Sequence, residues 1–187
     1  MYYILFFILF YLFYLLYNIN IIQLETLDGT KFLVYNNDIE KKQKLLDIII
    51  NNMYILKKHL LENIDKFSDY KLYILQLQKN FTNDRTKIYE TNPYSELTSY
   101  SVNKGEELSI CLRSKIDNSF HDINLLMYVT IHEMSHFACP EIGHGELFQK
   151  IFKFFLEEAV KIGIYKIVDY SQNPIEYCGM TLSSSII

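Results

Sequence analysis

The reading turns on the stretch from His132 to Phe152, HEMSHFACPEIGHGELFQKIF. On an α-helix, residues four apart stand on one face, so His132 and His136 can aim imidazole nitrogens at a common point. Glu133 falls beside that face, where a carboxylate can hold a water and take its proton. Two histidines and a glutamate at this spacing form the H-E-x-x-H pattern, whose chemistry is peptide hydrolysis assisted by one zinc ion. Zinc lowers the pKa of a bound water to about 7 and polarises the carbonyl under attack. A catalytic zinc takes three protein ligands and leaves one position open. His144 is the candidate third ligand, because Pro140 and Gly143 let the chain leave the helix and fold back before the next one starts. Glu157 and Glu158 on that next helix are its rivals, while His59 and His121 read as ordinary polar residues.

The flanks support a helix around the motif. Asp122 is a candidate N-cap, Leu125, Leu126 and Val129 point to a core, and Pro140 lies just past the end near Ala138. Before it, TSYSVNKGEELSICLRSK (Thr98 to Lys115) has two β-prone runs around Asn103-Lys104-Gly105, which predicts a hairpin ending near Arg113. After it, Phe148, Ile151, Phe152, Phe155, Leu156 and Ala159 make one stripe of a helix from about Gly145 to Ile162, with Gly163 as its C-cap. Upstream, helical spacing from Ile39 to about Ile64 predicts an amphipathic helix, whose lysines 41, 42, 44, 57 and 58 read as a solvated face. Lys31 to Tyr35 and Lys87 to Tyr89 are short strand candidates, and Asp28-Gly29 is a turn signal that opens the domain. Ile164 to Ile187 has no usable period.

At this point HEMSHFACPEIGHGELFQKIF resembles the zinc-binding region of the WLM and SprT-like (Spartan-type) peptidases, over a stretch from about Tyr100 to Cys178. The interval between His136 and His144 is longer than is usual in WLM sequences, and Gly145 stands where Asp is common. The resemblance implies a zincin-like α+β domain, residues 28–187, with a small antiparallel or mixed sheet, an active-site helix and packed helices. It implies His132, His136 and His144 as ligands of one catalytic Zn2+, Glu133 as acid/base, and a protein or peptide as substrate. Proteolysis of DNA-crosslinked protein is the family's association, so nucleic acid enters as a partner only through the resemblance. Tyr177 is a candidate oxyanion stabiliser, since a phenol can donate to a developing alkoxide, and Met180 a candidate for a position under the metal.

Residues Met1 to Leu24 carry no charged side chain. An uncharged run of roughly 20 residues matches a bilayer core, which predicts a transmembrane anchor over 1–24. Lys31, Lys41, Lys42 and Lys44 follow it, which favours a cytoplasmic catalytic domain.

The net charge of −4 leaves no overall basic field for a nucleic-acid backbone. Three cysteines, Cys111, Cys139 and Cys178, are odd in number and widely spaced, which favours a reducing compartment. Asn80 and Thr82 make one N-x-T sequon, usable for glycosylation in a lumenal domain. The competing reading is an inactive metal-binding scaffold or interaction domain anchored to a membrane. A fourth protein ligand such as Cys139 or Cys178 would mark it.

Overall fold

The computed structural model describes residues 2–26 and 29–187. The alternation in KFLVY buries Phe32 and Val34 on one face of a strand, β2 (Lys31–Tyr35). It pairs antiparallel with β1 (Ile21–Glu25) and parallel with β3 (Lys87–Glu90). β3 in turn pairs parallel with β5 (Glu107–Ile110), and β5 antiparallel with β4 (Tyr100–Val102). The sheet order is therefore β1-β2-β3-β5-β4, with β4 on the edge. Phe32, Val34, Ile88, Leu108 and Ile110 share the buried face.

The helices cover that face. α2 (Ile39–Glu62) buries Leu46, Ile49, Ile50, Met53, Leu56 and Leu60, as the spacing predicts. Lys42 departs from the expected solvated face. It is buried, and its Nζ donates to Tyr35 O, to Asn37 Oδ1 at 2.5 Å and to Glu90 Oε2 at 2.6 Å, tying α2 to β2 and β3. A buried ammonium needs such partners, because desolvation alone disfavours its charge. α3 (Lys71–Asn80) follows, and then α4 (Ile123–Ala138) and α5 (Glu146–Lys161). Asp122 caps α4 by accepting from Asn124 N at 2.8 Å. α5 ends in a Schellman turn: Gly163 has φ +76° and Ile164 N donates to Ala159 O at 3.0 Å.

The expected hairpin is present as β4 and β5, and its turn holds Asn103, Lys104 and Gly105 all at positive φ. Gly105 is obligatory here. Its φ is +101°, and a Cβ would lie 2.9 Å from Asn80 O and 3.1 Å from Phe137 Cγ. The turn is thus pressed onto the end of α4. Asn80 completes the junction by donating to Phe137 O at 2.8 Å from a buried position, so the sequon triplet is structural and closed to glycosylation.

The expected membrane anchor is not supported. α1 runs only from Tyr2 to Ile19, and the apolar residues that prolonged the run, Ile21 to Leu24, belong to β1 and pair with β2. At about 1.5 Å each its eighteen residues span roughly 27 Å, against about 30 Å for a bilayer core. Among the described residues no helix is long and apolar enough to cross a membrane. The membrane partnership and membrane location built on that span fall with it, and the charge argument for a cytoplasmic domain loses its basis. The turn signal at Asp28 lies outside the described residues; Gly29 has φ +87°.

The carboxy-terminal stretch, without period in sequence, holds a second small sheet. β6 (Ile175–Tyr177) and β7 (Met180–Leu182) form a hairpin across Cys178-Gly179. Cys178 is disulfide-bonded to Cys111 and Cys139 is a buried thiol. The expectation of uniformly reduced cysteines therefore fails, because the partners lie 67 residues apart and meet only when the hairpin folds back on the end of β5.

Candidate metal centre

α4 brings His132 and His136 onto one face, and the loop after Pro140 returns His144 to them. The three Nε2 atoms form a triangle with sides of 3.3, 3.1 and 3.0 Å. Tetrahedral zinc with Zn–N bonds of about 2.0–2.1 Å would space two nitrogens by roughly 3.3–3.4 Å. The donor set and its spacing fit such an ion, and among the described residues this is the one cluster that could hold a metal.

Phe148 organises the imidazoles. Its ring stacks on His136 at 4.3 Å and meets His132 and His144 edge-on at 4.9 Å each. Phe152 closes against His132 at 5.1 Å. The aromatic stripe of α5 is core, as expected, and its first turn is also the wall that orients the histidines. Burial, then the neighbouring imidazoles, pushes His132 down to about 3. Burial, His144 and Lys104 push His136 down to about 4. Both are neutral at pH 7, the form a metal ligand needs. The loop carrying His144 is held by Lys104 Nζ, which donates to Glu141 O, and turns at Gly143, φ +83°.

Glu133 is buried on the same helix, facing the cleft. Burial raises its carboxyl to about 7, opposed by a hydrogen bond from Ser101 on β4. Tyr177 lines the same cleft. Its hydroxyl shares a hydrogen bond of 2.5 Å with Ser99 Oγ. Burial, followed by the charge of Glu133, holds its phenol well above the ordinary range, so it remains a neutral donor. Met180 lies at the lip of the cleft, 48% exposed, rather than beneath the histidines.

The rivals for the third ligand are engaged elsewhere. Glu158 is bonded to His59 Nε2 at 2.7 Å and to Lys161 Nζ at 2.5 Å, while Glu157 is exposed beside Lys153. Cys178, in a disulfide, cannot supply a thiolate. His121 was underestimated by sequence reasoning: it is buried, accepts from Cys178 N at 3.1 Å and lies 4.8 Å from the Tyr177 ring. No local signal marks it, since its partners come from a hairpin more than fifty residues later.

The fold and the histidine triangle together define a zincin-like α+β domain that could bind metal. Wss1 from Saccharomyces cerevisiae has a similar fold, with a TM-score of 0.52 and 18% identity over 69% of this chain and 86% of that one. The fold-level part of the WLM/SprT-like resemblance is therefore supported. No family model matches the sequence. The chain belongs to the family of "Uncharacterized protein R325" of Acanthamoeba polyphaga mimivirus, to which it is 44% identical over 162 residues, 86% of this chain and 81% of that protein. "Uncharacterized protein 136R" of Invertebrate iridescent virus 6 is 28% identical over 156 residues, covering 72% of this chain and 84% of its own.

Proposed function

We propose that this protein is a zinc-dependent endopeptidase acting on protein or peptide substrates, with His132, His136 and His144 as metal ligands and Glu133 as general base. The observation that carries the reading is the triangle of three Nε2 atoms beside a buried carboxylate in one cleft of about 740 Å³. One zinc ion held there would polarise the scissile carbonyl and lower the pKa of the attacking water to about 7. Glu133, buried beside the three histidines, would accept a proton from the attacking water and deliver it to the leaving amine. Tyr177 donates a hydrogen bond from its hydroxyl to the oxyanion, exchanging its bond to Ser99 for one to the substrate. Phe148 packs against all three imidazoles and Phe152 against His132, which keeps the rings in place.

Glu133→Gln tests the reading in the full chain. The amide preserves size but cannot take a proton, so zinc content should stay at one per chain while cleavage of an unfolded protein falls about 100- to 10,000-fold. Equal rates for both proteins at equal zinc would refute the role of Glu133. A zinc-loaded parent that cleaves nothing would favour the metal-binding scaffold instead.

A further inference from the structure

The cleft has two unlike ends. At one, His136, His144 and Lys104 present nitrogen donors and charge. Further back along α4, Tyr128 and Val129 lie one helical turn before His132 and Glu133, and Leu182 and Met180 of β7 line the same cleft. Apart from the histidines, Glu133 and Lys104 are the charged side chains among the described lining residues. The register of the hairpin explains its apolar face. Tyr177 pairs with Met180 and Ile175 with Leu182, so these four share one side, while Glu176 and Thr181 share the other. The apolar side is turned to the cleft yet remains partly uncovered: Met180 is 48% exposed, and Leu182 and Val129 are half-buried. Tyr128, packed against Phe152 and Tyr170, supplies a firm floor. Four residues of helix separate Val129 from Glu133, roughly 6 Å of axial rise, about the reach of one or two residues of extended peptide.

We infer that Val129, Leu182 and Met180 form an apolar subsite that selects peptides with a bulky apolar side chain next to the cleaved bond. The inference rests on the endopeptidase reading for its catalytic consequence, but the subsite itself binds without metal. An apolar side chain gains there by displacing water from surfaces the fold leaves uncovered, whereas a charged one would lose hydration and find no polar partner in Val129, Leu182 or Met180.

Two measurements on the full chain separate the inference from the reading it rests on. In the first, zinc-loaded protein is given matched alanine-based peptides carrying leucine, phenylalanine, glycine or aspartate beside the bond. Leucine or phenylalanine should raise kcat/KM by about 10-fold or more over glycine, with aspartate lowest. Val129→Phe, which fills the space from a half-buried position, should collapse the leucine-to-glycine ratio toward one; Leu182→Ala should shift preference toward phenylalanine. In the second, metal-free protein labelled at methionine methyls is titrated with the leucine and aspartate peptides. Of the five methionines, Met53, Met127 and Met134 are buried, so the Met180 methyl reports the lip of the cleft. It should shift with leucine peptide and not with aspartate peptide. Cleavage without side-chain preference would overturn the subsite and leave the peptidase standing. A Met180 shift with no cleavage would keep the subsite and sink the peptidase. Absence of both defeats both.

Discussion

The two walls of the cleft are built by opposite means. The wall from α4 and α5 is held by burial: Ile131, Met134, Phe137, Phe148, Ile151 and Phe155 are all 2% exposed or less. The wall from β6 and β7 has only three-residue strands, and it is held by discrete links, namely the Cys111–Cys178 disulfide, His121 on Cys178 N and Ser99 on Tyr177. The first wall places the candidate metal ligands and the second places the candidate oxyanion donor and the apolar lip. Injury to the first should therefore appear in folding and metal binding together, and injury to the second in catalysis or local order with the metal retained.

Phe148→Ala should do the greatest damage. Removing a buried aromatic ring costs about 3–5 kcal/mol, and this ring touches all three histidines, so denaturant unfolding and zinc affinity should fall in step. A variant that lost stability but bound zinc as the parent does would separate the packing role from the orienting one. Tyr177→Phe comes next and should sharpen the contrast. Losing one oxyanion donor costs about 100- to 1,000-fold in kcat, with zinc content unchanged; a change confined to KM would assign the hydroxyl to binding instead.

Removing the disulfide with Cys111→Ser and Cys178→Ser should cost about 2–4 kcal/mol by chain entropy. Hydrogen exchange should rise over 175–182 while α4 and α5 keep their protection, and uniform loss of protection would show that the two walls fold as one unit. The most localised effect concerns Glu133 in metal-free protein. Its folded pKa, near 7, lies above the ordinary 4.5. Its protonated form is thus favoured in the native state, so its contribution to stability is fully present below about pH 4.5 and is lost as pH rises through 7. The stability of Glu133→Gln relative to the parent should increase across that window and level off above it, reaching on the order of 3 kcal/mol. A flat difference would mean that the carboxyl is better solvated than its burial implies.

The same contrast governs what could be read from sequence. α4 and α5 were legible because periodicity, the Asp122 cap and the Gly163 stop agree with one another and with the tertiary packing. The β4–β5 hairpin was legible through Asn103-Lys104-Gly105. His144 could be proposed because the chain breaks at Pro140 and Gly143 leave it only a short way to return. β6, β7 and their disulfide were not legible, since three-residue strands carry no period and the cysteine partner is set by long-range folding. β1 was misread for a different reason. IIQL continues an apolar helical run, and only pairing with β2 distinguishes a strand from the end of a helix.

Gly105 fixes how much freedom this architecture leaves to its descendants. With Asn80 O 2.9 Å and the Phe137 ring 3.1 Å from where a Cβ would stand, no other residue fits without shifting the hairpin against α4. The same turn carries Lys104, which holds the loop of His144. A lineage that exchanged this glycine would therefore be expected to forfeit the third histidine's placement as well, so inheritance of one hydrogen atom at position 105 and inheritance of the whole histidine triangle are bound together.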